Sequence, residues 1–184
     1  MTRDQPSRIS AQDWIEVATA ALSERGPDAL TIDALCRATR KTKGSFYAHF
    51  DSYDAFLAAL AASWRESNTQ AVIRAVEGVC PGDRLGLLNH LAVRLDPKLD
   101  QGMRRLSDRS PLIADAVAEV DRQRIAYLAG LHHTVADYSE QDALDLATIE
   151  YAAYVGLQQI NPKCSPEELE RLCAMFLKLM PGGD

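Results

Sequence analysis

The chain has 184 residues, 47% of them hydrophobic, and a net charge of −6 at pH 7; that is enough apolar material for one compact unit or two small ones. The opening MTRDQPSRIS holds no apolar stretch of the kind a signal peptide needs, and the best candidate span, residues 55–64, is far too short to cross a bilayer, so a soluble, cytoplasmic protein without membrane association is expected. Four scattered cysteines, Cys36, Cys80, Cys164 and Cys173, form no C-x-x-C pair, and no histidine sits at a zinc-finger offset; reduced, mostly helix-buried thiols are expected, with no metal and no cofactor.

In chain order, residues 1–9 are polar, contain Pro6 and read as a flexible arm from which Arg3 and Arg8 reach phosphates. Ser10 and Asp13 have the spacing of a capping box, and Trp14, Ile15, Ala18 and Leu22 then fall on one helical face until Gly26-Pro27 stops the helix. Thr31 caps a second helix with a short apolar face of Ile32, Leu35 and Cys36, and Thr39-Arg40-Lys41 reads as a turn. Thr42 caps a third, short helix whose inward residues are Phe46 and Phe50. Two short helices joined by a tight turn make a helix-turn-helix.

Ser52 caps a fourth helix expected to run to about Glu77, with Phe56, Leu57, Leu60, Ala61 and Trp64 as its stripe. Helices over 83–95, a weak one over 98–106, one from Ser110-Pro111 to about Asp137, one over 139–160 and a last one from Ser165-Pro166 follow. In the last, Leu169, Leu172, Cys173, Phe176 and Leu179 are in register, and Pro181-Gly182-Gly183 closes it. No segment alternates with period two and there is no internal repeat. The expectation is an all-α chain of about nine helices: an arm over 1–9, a three-helix DNA-binding head over 10–51 and a helical body over 52–184.

Charge is segregated. Residues 31–50 carry Arg37, Arg40, Lys41 and Lys43 against Asp33 alone, a net of +3, whereas residues 51–184 carry 13 basic and 20 acidic residues, a net of −7. A small basic patch beside an acidic remainder suits a sequence-specific DNA binder better than a non-specific architectural protein, which needs a wide basic surface.

Thr31-Ile32, then Lys43-Gly44-Ser45-Phe46-Tyr47-Ala48-His49-Phe50, then Ser52 resembles the N-terminal domain of the TetR/AcrR family of transcriptional regulators over about residues 10–57. The resemblance implies a dimeric, ligand-responsive regulator with a three-helix head and a helical body. The chemistry of each position agrees. Thr42 and Ser45 stand in the first turn of the recognition helix, where N–H groups are unpaired and reach phosphate or base edges. Lys43 offers a charge to phosphate or a donor to guanine. Gly44 lets backbone and DNA approach closely, and Phe46 packs behind them. Tyr47 stacks on sugar or a thymine methyl and bonds phosphate, and Thr31 holds phosphate from the second helix. His49 fits either a phosphate contact or a packing role.

Two positions depart from the family's pattern. Arg40-Lys41 stand where a glycine and an apolar residue are usual, so Arg40 is expected at positive φ, at a cost of about 1 kcal/mol. Tyr53 stands where a lysine is frequent, its hydroxyl replacing the ionic phosphate contact. In the resembled family the last two helices pair with their copies, so the resemblance implies a homodimer, with Leu146, Ala153, Tyr154, Leu157, Leu172 and Phe176 at the interface and a pseudo-palindromic operator read at half-sites about 34–36 Å or a multiple of that apart. A small-molecule effector is expected between the fourth helix and those near 83–95, 110–137 and 139–160, lined by Trp64, Asn68, His90, Met103, Tyr127, His132 and Tyr151. His132 and His133 are adjacent, face different directions and make a poor metal pair.

The function read from the sequence is therefore a DNA-binding repressor released by a ligand. A ligand-independent or activating regulator stays open beside it, as does, less favoured, a helical enzyme. Against an enzyme, there is no G-x-S-x-G, phosphate-binding loop, dinucleotide glycine motif or H-E-x-x-H.

Overall fold

A computed structural model of the chain describes residues 9–178. The arm with Arg3 and Arg8, and the closing Leu179 and Pro181-Gly182-Gly183, lie outside the described residues. Within them all regular structure is helical: α1 Ala11–Arg25, α2 Ile32–Thr39, α3 Lys43–Tyr47, α4 Tyr53–Arg65, a π-turn Glu66–Gln70, α5 Ala71–Glu77, α6 Arg84–Ala92, α7 Pro97–Ser107, α8 Pro111–Val135, α9 Glu140–Ile160 and α10 Pro166–Lys178, with short 3₁₀ turns at Pro27–Ala29 and Pro81–Asp83. Taking α4, the π-turn and α5 as one interrupted rod, the described residues form nine helices.

The helix starts are fixed by side chains. Ser10 and Asp13 form the reciprocal capping box, Ser10 N–H donating to Asp13 Oδ2 at 2.6 Å and Asp13 N–H to Ser10 Oγ at 3.1 Å. Thr31, Thr42, Ser52, Ser139 and Ser165 likewise accept a backbone N–H three residues on. α2 ends with Arg40 in the left-handed region at φ 55, ψ 38. There the Arg40 N–H bonds Arg37 O and the Lys41 N–H bonds Cys36 O, which is the Schellman pattern that normally recruits glycine.

The described residues divide into two compact units: residues 9–63 with 98–115, and residues 64–97 with 116–178. In the first, hereafter the head unit, Trp14, Leu22, Leu35, Phe46, Phe56 and Leu60 are buried at the centre. The helix over 98–106, weak in the sequence, is well anchored: α7 buries Leu99, Met103 and Leu106 at i, i+4 and i+7. Its Gly102 lies so close to α1 that a Cβ there would meet Leu22 Cγ at 2.8 Å and the Leu22 carbonyl at 3.2 Å.

The second, the body unit, contains the π-turn, α5, α6, most of α8, α9 and α10. The expected uninterrupted fourth helix is not what forms: at Glu66–Gln70 the backbone widens into a π-turn that buries the neighbours Asn68 and Thr69 together. Across α8 and α9, His132 Nε2 and Glu150 Oε2 stand 2.6 Å apart, both almost wholly buried. The expectation of helix-buried thiols does not hold. Cys80 is exposed in the link before Pro81, and Cys36, Cys164 and Cys173 are half-buried.

Two stability predictions follow from this packing. Gly102→Ala, which in an open helix would stabilise by up to about 1 kcal/mol, is expected here to destabilise by about 1–3 kcal/mol because Leu22 and its carbonyl occupy the Cβ position; urea denaturation gives the sign. Glu150→Leu alone is expected to cost about 3 kcal/mol by stranding His132, and adding His132→Leu to recover most of that loss. Additive losses in the double-mutant cycle would mean the two side chains act independently.

Candidate nucleic-acid interface and an interior cavity

α3 has only five residues, too few to hold a helix without tertiary contacts. Its orientation comes from Phe46, which is 0% exposed. The Phe46 ring meets Trp14 edge-on at 5.4 Å between centroids, Phe50 at 5.2 Å and Phe56 at 5.3 Å. With Phe46 inward, the rest of the segment faces out: Thr42, Lys43, Gly44 and His49 are exposed and Ser45 half-exposed, while Tyr47 is 50% exposed. Thr42 Oγ1 accepts the Ser45 N–H at 3.2 Å and fixes where the helix begins.

Lys43 Nζ sits 2.9 Å from Asp33 Oδ1, with both side chains about 60% exposed. The contact ties α2 to α3 across the turn, pulls the Asp33 carboxyl below its usual pKa and raises that of Lys43. Exposed as it is, the pair contributes little to stability, and the ammonium is readily exchanged to another anion. Thr31 and Arg40 are exposed as well, and Lys41 is half-buried. Tyr53 is differently employed from the phosphate contact expected of it. Its hydroxyl donates to Leu30 O at 2.6 Å, and burial raises its pKa, so its first role is to hold the loop before α2 against α4. Phe46, for its part, has no exposed surface to offer a ligand.

Gly44 is informative because the fold does not require it. Its φ is unremarkable, and a Cβ there would meet only Thr42 Oγ1, at an ordinary 3.7 Å.

The body unit contains a partly open cavity of about 90 Å³. Its apolar wall includes Val72, Ile73, Leu88, Val93 and Leu128; its polar groups include Asn68, Thr69, Asn89, Arg124, Glu150 and Tyr151. Of the residues predicted from sequence, Asn68, Tyr127 and Tyr151 line it; Trp64, His90, Met103 and His132 do not. Met103 is buried within the head unit, and His90 is exposed and bonded to Glu170 at 3.0 Å. His132 stands behind Glu150, which does face the cavity. Trp64 is buried beneath Arg124, whose guanidinium carbon lies 5.5 Å from the ring centre.

Arg124 is not among the site residues expected from the sequence, although it stands on the otherwise apolar face of α8. Its Nε donates to Thr69 Oγ1 at 3.0 Å, Nη1 to Tyr151 Oη at 3.1 Å and Nη2 to Asn68 O at 3.3 Å, and Tyr151 donates on to Asp121 at 2.7 Å. An arginine on an otherwise apolar face was the available signal for this network. Among the residues expected at a dimer interface, Tyr154 lines the cavity and donates to Ala92 O at 2.8 Å. Leu146, Ala153, Leu157, Leu172 and Phe176 are half-buried.

Among the described residues no group of three or more His, Cys, Asp or Glu side chains is placed to hold a metal ion, and no helix is long and apolar enough to cross a membrane.

Residues 15–60 match the family described as bacterial regulatory proteins, tetR family. No curated protein matches the sequence. Among solved structures the chain is similar to reduced NemR of E. coli, with a TM-score of 0.73 and 19% identity over 94% of this chain and 98% of that one. It is similar too to a protein of Mesorhizobium loti MAFF303099 described as a TetR-family transcriptional regulator, with a TM-score of 0.70 and 18% identity over 97% and 98%. A third, described as a transcriptional regulator of Pseudomonas aeruginosa PAO1, has a TM-score of 0.68 and 16% identity over 97% and 95%. At these identities the likeness is one of fold, and it extends over nearly the whole chain. The buried Phe46, the Schellman turn at Arg40 and the exposed positions of Lys43–His49 all fall inside residues 15–60, the segment that matches the tetR family, and the chain shares the all-α fold of these solved structures.

Proposed function

We propose that the protein is a homodimeric, sequence-specific DNA-binding repressor that leaves a pseudo-palindromic operator when a small-molecule effector occupies the body cavity. In this reading residues 10–51 contact DNA and residues 52–184 bind the effector and the second copy; the protein is a cytoplasmic regulator without catalytic activity. The observation that carries it is the ridge of Thr42, Lys43, Gly44, Ser45, Tyr47 and His49, turned outward by the burial of Phe46 within a stretch of net charge +3. Thr31, Arg40 and Lys41 extend the ridge toward phosphates, and Lys43 exchanges Asp33 for phosphate on binding. Tyr53 contributes by fixing the loop ahead of α2.

Gly44 supports the same reading. The free protein has room for an alanine there, and alanine is the better helix former by up to about 1 kcal/mol. A methyl group that the fold tolerates is excluded by a surface outside the chain, which here is DNA pressed against α3. The homodimer is supported by apolar side chains left in solvent on α9 and α10, with Ile149 57%, Ile160 80% and Met175 57% exposed. They flank Leu146, Ala153, Leu157, Leu172 and Phe176, and covering such a patch is favourable. Release by an effector requires only that the effector bind the DNA-incompetent population better.

The test is selection of bound fragments from genomic DNA, followed by titration of the best fragment against salt. One sequence is expected to beat random DNA by about 10³-fold or more. Lys43→Ala is expected to weaken binding to all sequences and lower the salt slope by about one ion. Tyr47→Ala is expected to cost about 1–3 kcal/mol of binding, with both variants folded. Random DNA bound as tightly as any selected fragment would sink the proposal. Gly44→Ala separates fold from function: thermal unfolding is expected unchanged or shifted up, while operator affinity drops at least tenfold. Unchanged affinity would mean that DNA does not approach the α3 backbone.

A further inference from the structure

The polar groups around the body cavity fall into two sets. The charged ones are already matched inside the chain. Arg124 is held by Thr69, Tyr151 and the Asn68 carbonyl and lies against Trp64; Glu150 is held by His132. Two uncharged ones are not matched: the side-chain nitrogen of Asn89, on α6, and the hydroxyl of Tyr127, on α8, are both buried without a hydrogen-bond partner. Both residues line this one cavity. Among the described residues the two other buried side-chain atoms without partners, the indole nitrogens of Trp14 and Trp64, belong to residues that do not.

A buried donor left unpaired is among the more costly things a fold can retain, and two on residues that line one largely apolar cavity describe the ligand that would relieve them. Asn89 Nδ2 is a donor only. Burial raises the pKa of Tyr127, so its hydroxyl keeps its proton and donates too. The complement of two donors is a single strong acceptor, and a carbonyl oxygen with its two lone pairs accepts both. The remaining wall, with Val72, Ile73, Leu88 and Leu128, asks for hydrocarbon. An anion gains no unengaged counter-charge here and meets Glu150; a cation meets Arg124; either pays full desolvation. A ligand with no acceptor leaves both donors buried and unpaired. The volume of about 90 Å³ is below the roughly 150 Å³ of an apolar cavity known to take benzene, which favours a guest smaller than benzene, such as a four-membered ring or a short acyl chain. Burial also raises the pKa of Cys173 in the same wall, which favours reversible binding over covalent capture by a thiolate.

We propose that the body cavity binds a small, uncharged, largely apolar carbonyl compound, its oxygen accepting hydrogen bonds from Asn89 Nδ2 and the Tyr127 hydroxyl. The inference rests on the reading of the body as an effector domain and specifies what that effector is chemically.

The probes are cyclobutanone, methylenecyclobutane, which has the same shape without the oxygen, and cyclobutanecarboxylate, which carries a charge. Their binding to the full chain is followed by ligand-observed NMR and calorimetry. The ketone is expected to bind about tenfold tighter than the alkene, and Tyr127→Phe and Asn89→Leu each to remove most of that preference while changing the alkene's affinity by no more than about twofold. Retained alkene binding shows that a variant is folded, and Tyr127→Phe, which removes one oxygen atom, serves if Asn89→Leu does not fold. Equal affinity for ketone and alkene, tightest binding of the carboxylate, indifference of the ketone to both substitutions, or no ketone binding up to its solubility each overturns the proposal. Release of the selected DNA fragment is scored separately. Oxygen-dependent ketone binding without release supports the site and sinks the effector reading; release by the carboxylate through this cavity does the reverse.

Discussion

The burial of one ring, Phe46, decides what the head unit can do. α3 is barely more than one turn long and has no stability of its own. Its axis and rotation are set by Phe46 packing against Trp14 of α1, Phe50 just beyond α3 and Phe56 of α4. Burying such a side chain is worth about 1.5–3 kcal/mol, a sizeable share of a domain's net stability of about 5–15 kcal/mol. Because the residues of α3 follow one another at about 100°, fixing Phe46 inward turns Gly44 to the opposite face and Tyr47 to the flank, while Lys43 is exposed at the first position of the helix. The exposed chemistry is thus a by-product of the core.

The features legible in the sequence were those whose causes are local. Ser10, Thr31, Thr42 and Ser52 cap helices because a hydroxyl three residues before an N–H needs nothing from the rest of the chain. Arg40 at positive φ was legible for the same reason, since a turn that tight leaves few alternatives. The apolar stripes of α1 and α4 named their own buried residues. What escaped was set at a distance. Tyr53 was assigned outward by analogy, but the Leu30 carbonyl, 23 residues away, captures its hydroxyl. α7 looks weak because its apolar stripe is short, Leu99, Met103 and Leu106, and the fit of Gly102 to Leu22 that adds to it is encoded by no local pattern. The role of Arg124 depends on residues far along the chain, because only the fold brings Thr69, Tyr151 and Trp64 to it.

The two units treat charge oppositely, and water is the reason. In the head unit the Lys43–Asp33 pair is exposed, so either partner is released at little cost when another ion arrives. In the body unit Arg124 and Glu150 are committed to fixed partners; separating either from them would leave charge in a low-dielectric interior. An interface that must form and dissolve is built from the first kind of contact. A cavity that must keep its shape is built from the second, leaving neutral groups to do the recognising.

The π-turn at Glu66–Gln70 has a consequence for how this chain tolerates change. Trp64, Asn68, Val72 and Val76 point inward in the body at intervals of four, a spacing that in an unbroken α-helix would drift by about 40° per step; the widened turn absorbs the excess. A segment containing one π-turn holds a residue more than the α-helix it replaces. Deleting one residue between 66 and 70 therefore lets the rod close into plain α-helix with the stripe after Gln70 still facing the core, whereas a deletion within α5 turns everything beyond it by about 100°. The fold would outlive the first deletion, but the paired presentation of Asn68 and Thr69 to Arg124 would not. The extra residue belongs to the cavity rather than to the scaffold.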